Sequence, residues 1–220
     1  MSLFRLDASI NPAHSVTREI ADVAQNAWQD TRPGAPVVRR DLGADPIPSG
    51  AWAAATLSGF VPVDEQDADQ RAAQALAATL AAELVAAEAY LFAVPLYNYG
   101  VSQHFKTWVD LVLADPTFAA GGPRDAIAGR PAVLVTARGG GYGPGTPKEG
   151  WDHATPWMVR ILADVLGLDV QVSAAELTLA ELTPGMESLV DTARQSRDDA
   201  RESARTQGRS LAERVVGASV

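Results

Sequence analysis

The chain contains no cysteine and only three histidines, His14, His104 and His153. The absence of thiols excludes disulfides, thiolate zinc sites, iron–sulfur clusters and cysteine nucleophiles, and nothing requires an oxidising compartment. The histidines show no metal-type pairing such as H-E-x-x-H, which argues against a zinc hydrolase. Basic residues are scarce too: 18 Lys and Arg face 27 Asp and Glu, a formal net charge of −9. General nucleic-acid binding needs a basic stripe to neutralise phosphates, and this balance argues against it. Long apolar runs are missing, since the most apolar stretch, residues 89–97, is about half the ~20 residues of a spanning helix. The first residues have no export-type apolar region. The expectation is a cytoplasmic protein that binds neither nucleic acid nor membrane.

Short apolar runs alternate with long segments of 3.6-residue period, which predicts a parallel sheet covered by helices on both faces. Strands are expected at Leu3–Leu6, Pro36–Arg40, Tyr90–Val94, Ala132–Thr136 and Leu168–Val172. Between them, helical faces run through Ile20, Val23, Ala24 and Ala27, then through Leu76, Ala77, Leu80, Leu84 and Val85 in a helix capped by Asp64. Others run through Val101, Phe105, Trp108, Val109 and Val112, and through Trp157, Ile161, Leu162, Val165 and Leu166. Thr146-Pro147-Lys148-Glu149 reads as a capping box opening a further helix, and Thr155-Pro156 as another start. Residues 45–62 form an irregular excursion with one or two helical turns, Pro116–Arg130 a loop, and the charged tail from about Pro184 a helix that frays at its end. The 220 residues suit one α/β domain, a three-layer doubly wound sheet of order 2-1-3-4-5. Such sheets bind ligands at the carboxyl ends of their strands, at the topological switch point.

Three loops then fall at one end of the sheet. Ser9-Ile10-Asn11-Pro12-Ala13-His14-Ser15-Val16-Thr17 offers hydroxyls and helix N-terminal N–H groups, a cradle for phosphate, although Ser15 is equally suited to cap the helix. Pro95-Leu96-Tyr97-Asn98-Tyr99-Gly100 puts two aromatics and an amide after a central strand, either to flank a planar ring or simply to cover core. Ala137-Arg138-Gly139-Gly140-Gly141-Tyr142-Gly143 lets backbone approach a ligand closely, with Arg138 as a source of positive field. The conjunction points to a flat, phosphorylated heterocycle, with FMN the best candidate.

These stretches carry a resemblance. Ser9 with Ser15-Val16-Thr17, Pro95 to Val101 running into Phe105-Lys106-Thr107-Trp108-Val109-Asp110-Leu111, and Thr136-Ala137-Arg138-Gly139-Gly140 are similar to the FMN-dependent NADH-azoreductase and NADH:quinone oxidoreductase family of flavodoxin-like flavoproteins. The resemblance spans roughly residues 3–205 and includes Thr155-Pro156 and Leu166-Gly167-Leu168. It implies that Ser9, Ser15, Val16 and Thr17 hold the FMN phosphate and ribityl chain. It further implies that Leu96, Tyr97, Asn98 and Tyr99 line the isoalloxazine ring and that Ala137, Arg138, Gly139 and Gly140 meet its polar edge. Phe118 and Tyr142 become candidates for the substrate pocket, and family members are typically homodimers. Position 137 is Ala where Ser is common, and Tyr142 stands where some relatives carry His. The implied activity moves two electrons from NADH or NADPH to quinones or azo compounds by a ping-pong route, with no catalytic side chain and no metal.

The competing class is a flavodoxin-type carrier that passes single electrons to protein partners, for which the acidic surface would suit docking to basic surfaces. A flavin-free binding module is a third reading. His104 lies early in a helix beside the second loop. Trp151-Asp152-His153 is read as a surface helix start, and Arg194–Arg209 as a solvated helix face. Trp28, Trp108 and Trp157 fit core spacing.

Overall fold

The structure, a computed structural model, describes residues 2–119 and 125–217. Residues 120–124 of the expected loop and the chain end, 218–220, where fraying is expected, lie outside the described residues. Five parallel strands form the sheet: β1 (Leu3–Asp7), β2 (Val37–Asp41), β3 (Ala89–Ala93), β6 (Pro131–Ala137) and β7 (Asp169–Ala175), in the order β2-β1-β3-β6-β7. Numbered among themselves, these strands stand in the order 2-1-3-4-5. The period-2 alternation divides their side chains between two cores. Phe4, Leu6, Tyr90, Phe92, Ala132 and Leu134 face one layer, whereas Leu3, Ala89, Leu91, Ala93, Val133 and Val135 face the other.

On the first face lie α2 (Ala51–Ser58), α3 (Ala68–Ala86), α4 (Gln103–Val112) and α5 (Thr155–Val159). Trp108 is fully buried there, with its ring 5.5 Å from that of Phe105, and Trp157 meets Phe105 edge-on at 6.3 Å. The cap of α3 is Asp67 in a reciprocal box with Gln70, three residues beyond the expected Asp64. Val85 and Val165, expected on apolar faces, are exposed. For Val165 the cause is local: residues 160–165 form a π-helix, whose wider turn (Leu166 N–H to Ile161 O, 2.9 Å) rotates the face.

The second face is covered by α1 (Val16–Thr31) and α6 (Val190–Gly217). Ile20, Ala24 and Trp28 of α1 meet Ala200, Ala204, Leu211 and Ala212 of α6. At Gly208 the helices approach so closely that a Cβ would lie 2.2 Å from the Ala24 carbonyl oxygen. The arginine-rich stretch is therefore only partly a solvated face. One side packs on α1, and Arg197 and Arg201 both bind Glu19 of that helix. Burial opposes ionisation of Glu19, but its hydrogen bonds from the two guanidinium groups prevail and lower its pKa.

Two local expectations change. Residues 95–100 are not a plain loop: β4 (Leu96–Tyr97) and β5 (Gly100–Val101) pair antiparallel as a two-residue hairpin, so Val101, expected on the helical face, lies in a strand and the helix starts after its cap Ser102. Thr146-Pro147-Lys148-Glu149 opens no helix but forms successive turns, bracketed by Gly145 and Gly150 at φ of 77° and 78°. The Glu149 carboxylate accepts the Gly145 N–H at 2.7 Å, so the reciprocal box never forms. Among the described residues no helix is long and apolar enough to cross a membrane.

Candidate functional site

All five strands end on the same edge of the sheet, and the order reverses between β1 and β3. The segments after β1, β3, β6 and β7 meet above that point. The first is anchored by hydroxyls. Ser9, buried, brings its Oγ 3.3 Å from the Tyr97 hydroxyl, which also accepts the Ile10 N–H at 3.2 Å. Ser15 is the N-cap of α1, its Oγ accepting the Arg18 N–H at 3.2 Å. The same Oγ lies 2.9 Å from the Thr17 hydroxyl. Helix geometry leaves the Val16 and Thr17 N–H groups without an intrahelical acceptor, so N–H and O–H donors gather at the positive end of the α1 dipole. Capping and anion binding are compatible here, because Ser15 uses one lone pair for Arg18 and retains its O–H. Val16 packs partly against the second core.

The floor beneath this loop is set by ion pairs. Asp7, at the end of β1 and fully buried, accepts from Arg5 at 3.0 Å and from Arg39 at 2.7 Å. Arg18 binds Asp41 at 2.5 Å. That hydrogen bond, more than any other influence, holds the Asp41 carboxyl below the usual carboxylate range. Gly43 follows, and a Cβ there would fall 2.1 Å from the Ser9 carbonyl oxygen, so only glycine lets these loops meet.

The hairpin between β4 and β5 turns through Asn98 and Tyr99, at φ of 48° and 66°. Two consecutive left-handed residues make the turn that suits the twist of a two-residue hairpin. They present Leu96, Tyr97, Asn98 and Tyr99 to a cavity of about 760 Å³. Its opposite wall is Gly139, Gly140, Gly141 and Tyr142 after β6, and its end is built by Leu177, Leu179, Met186 and Leu189 between β7 and α6. The Leu177 N–H donates to the Gly140 carbonyl at 3.2 Å and the Thr178 N–H to that of Arg138 at 3.0 Å, which clamps the two loops together. A Cβ on Gly140 would have nothing closer than 3.7 Å. The volume falls within the ~300–1,000 Å³ of small-molecule and cofactor sites.

Not every candidate faces this space. Ala137 is buried in the end of β6. The Arg138 guanidinium turns away from the cavity into two carboxylates, Glu176 at 2.6 Å and Asp152 at 3.0 Å, with the Thr155 hydroxyl also at 3.0 Å. Its charge is thereby neutralised locally and it braces the loop. Phe118 packs against the first core and is not among the cavity residues, whereas Tyr142 is, 6.4 Å from Tyr99 ring to ring. Trp151, itself half-exposed, meets the Tyr99 ring edge-on at 5.3 Å, and the His153 N–H donates to the Tyr99 carbonyl at 3.0 Å. The segment 176–192 escapes the sequence-based reading. Its signal is a set of exposed large apolar residues, Leu179, Leu182 and Leu189, around Pro184-Gly185, where a plain surface loop would be polar.

A doubly wound sheet with clustered hydroxyl and N–H donors and a cavity of about 760 Å³ above its switch point has the architecture of nucleotide- and flavin-binding α/β proteins. The family model described as a flavodoxin-like fold matches residues 1–203, and the chain belongs to that family. The chain is 37% identical over 204 residues to the FMN-dependent NADH:quinone oxidoreductase of Frankia casuarinae, covering 92% of this chain and 96% of that protein. Among solved structures it superposes on azoreductase AzrA with a TM-score of 0.74 at 18% identity, covering 96% of this chain and 100% of the other. It also superposes on the FMN-dependent NADH-azoreductase from Bacillus anthracis str. Ames Ancestor in complex with FMN. There the TM-score is 0.69 at 15% identity, with 94% of this chain and 98% of the other covered.

Proposed function

We propose that this protein is an FMN-dependent oxidoreductase that takes two electrons from NADH and delivers them to quinones. Azo compounds are a further acceptor class. The carrying observation is the convergence of separated chain segments on one site. The Tyr97 hydroxyl ties the Ser9 loop to the hairpin, while the hairpin and the glycine loop face each other across the cavity. The residues suit the cofactor: Ser9, Ser15, Val16 and Thr17 for its phosphate and ribityl chain, Leu96, Tyr97, Asn98 and Tyr99 along its ring. Gly139 and Gly140 would meet the ring edge through backbone N–H groups, with Ala137 and Arg138 shaping the loop from behind. Bound FMN supplies hydride acceptance and donation. The protein's part is to bind, orient and desolvate. Backbone donors aimed at the ring edge would favour the charge that reduction places there, and the Tyr99 and Tyr142 rings in the cavity wall would limit water beside it. A single pocket serving donor and acceptor in turn dictates ping-pong kinetics.

A homodimer belongs to the same reading. Phe60 and Val63 are 83% and 79% exposed, and Trp52 and Leu57, in the helix before them, are exposed as well. Trp52 also edges a second concavity of about 740 Å³ with Leu113, Ala114 and Pro116. Light scattering should return twice the chain mass, and a monomer at micromolar concentration would remove the dimer from the proposal. A cytoplasmic setting suits a chain without cysteine. The net charge of −9 suits the single-electron carrier as well, but the relative quoted above is named an oxidoreductase.

The test is direct. The purified protein should carry, or take up, a yellow flavin and oxidise NADH with benzoquinone alone, giving parallel double-reciprocal lines. A colourless protein that takes up no FMN on soaking refutes the proposal.

A further inference from the structure

Sixteen of the chain's 18 basic residues are Arg; the two lysines are Lys106 and Lys148. Lys106 is paired with Asp110 at 2.6 Å. Lys148 is half-buried in the cavity wall, its ammonium 5.2 Å from the centre of the Tyr99 ring and 5.9 Å from that of Tyr142. It also lies beside Gly140, where a Cβ would be 3.7 Å from Nζ.

The acids around it are all engaged elsewhere. Glu149 accepts the Gly145 N–H at 2.7 Å. Glu176 binds Arg138 at 2.6 Å and accepts the Tyr142 N–H at 3.2 Å. Asp152 pairs with Arg138 at 3.0 Å. Among the described residues no carboxylate pairs with Lys148. In a chain of net charge −9, an ammonium held only by two ring faces at a ligand cavity is an unused cation. Cation–π contacts are weak at partly exposed sites, so the side chain is free to swing onto an anion. Its turn is fixed beneath it by Pro147 and by the Trp151 N–H donated to the Lys148 carbonyl at 3.1 Å.

We propose that Lys148 determines acceptor specificity, selecting quinone or azo compounds that carry a carboxylate or sulfonate on the reacting ring system. The inference rests on the redox reading above and names its substrate class. The anion belongs to the acceptor because Lys148 sits over Tyr99 and Tyr142, rings in the cavity wall. A ring stacked there brings its own substituents within reach of one side chain. The 2′-phosphate of NADPH lies at the far, adenosine end of that donor.

The experiment compares NADH-dependent reduction of naphthoquinone and naphthoquinone sulfonate by the FMN-loaded protein, in wild type, Lys148→Gln and Lys148→Arg. The sulfonate-to-neutral ratio of kcat/KM should fall about tenfold in K148Q, the loss expected of one charge-assisted contact. The loss should appear in KM for the sulfonate, the wild-type ratio should decline with added salt, and K148R should recover most of it. If both quinones turn over and K148Q leaves the ratio unchanged, the assignment to Lys148 is wrong while the redox reading stands. A ratio that moves only when NADPH replaces NADH also overturns it, since the cation would then serve the donor. Absence of turnover with either quinone in wild type overturns both.

Discussion

Ser15 does two jobs in the proposed site, and one substitution separates them. Its Oγ caps α1 by accepting the Arg18 N–H at 3.2 Å, and its O–H belongs to the donor cluster shared with Thr17 at 2.9 Å. Ser15→Asp keeps the cap, because Asp and Ser are nearly equal at that position and a carboxylate suits the helix dipole. The apoprotein should therefore melt close to wild type, whereas Ser15→Ala should lose about 1 kcal/mol, or about 2–4 °C for a chain of this size. The same aspartate places a negative charge where a phosphate is to bind. Two unit charges about 4 Å apart repel by about 4 kcal/mol at an effective permittivity near 20. Halving that for solvent screening leaves about 2 kcal/mol per phosphate charge, a weakening of FMN binding of at least about thirtyfold. Titration of FMN into apoprotein, followed by flavin fluorescence, measures the binding, and thermal melting of the same apoprotein measures the cap. An S15D protein that melts like wild type and binds FMN within about threefold of wild type would reduce Ser15 to a cap and empty the phosphate assignment.

Two further outcomes concern the frame that carries the site. Asp41 is held below the ordinary carboxylate range chiefly by its hydrogen bond from Arg18. A depressed carboxylate stabilises the fold above its unfolded pKa, about 3.9 for Asp, and loses that contribution as pH falls through the folded value. The stability gap between wild type and Asp41→Asn, from urea titrations, should be constant above about pH 5 and shrink below about pH 4; a gap that widens on acidification contradicts the pairing. Gly208→Val should destabilise by about 1–3 kcal/mol or more, because a Cβ 2.2 Å from the Ala24 oxygen must push α6 off α1; a variant within about 0.5 kcal/mol of wild type, the spread of a neutral surface change, would show that the crossing is looser than described.

What the sequence makes legible follows from where the physics is local. Strand positions are readable because parallel strands buried on both faces appear as short apolar runs, as at Tyr90–Ala93 and Ala132–Val135. The three loops are readable because hydroxyls, paired aromatics and glycines follow strand ends. The hairpin is hidden because its left-handed turn uses Asn98-Tyr99 rather than the Asn-Gly that usually marks one. The destiny of Arg138 is hidden for another reason. Its partners Asp152 and Glu176 are 14 and 38 positions away, and only the fold brings them to 3.0 and 2.6 Å. The α1–α6 seam is built from Ala200, Ala204 and Gly208, spaced by four but too small to stand out among the charged residues around them, and at Gly208 a Cβ would meet the Ala24 carbonyl oxygen.

Strain ties these hidden features to the site. Among the described residues, three that are not glycine have φ in the left-handed region: Asn98, Tyr99 and Leu177. All three line the same cavity. A left-handed conformation costs an L-residue about 1–2 kcal/mol, less for Asn. It persists only where surrounding contacts over-determine it. Those contacts are present: the Leu96–Val101 and Tyr97–Gly100 ladder, the His153 N–H on the Tyr99 carbonyl, and the Leu177 N–H on the Gly140 carbonyl. The ladder closes the hairpin on itself, and the other two contacts fix a wall of the cavity to a different segment of the chain. The cavity is therefore held open by the fold before any ligand enters, at a conformational cost concentrated on the side chains proposed to flank the ring. Such preorganisation favours a ligand that is itself rigid and flat, because little ordering remains to oppose binding.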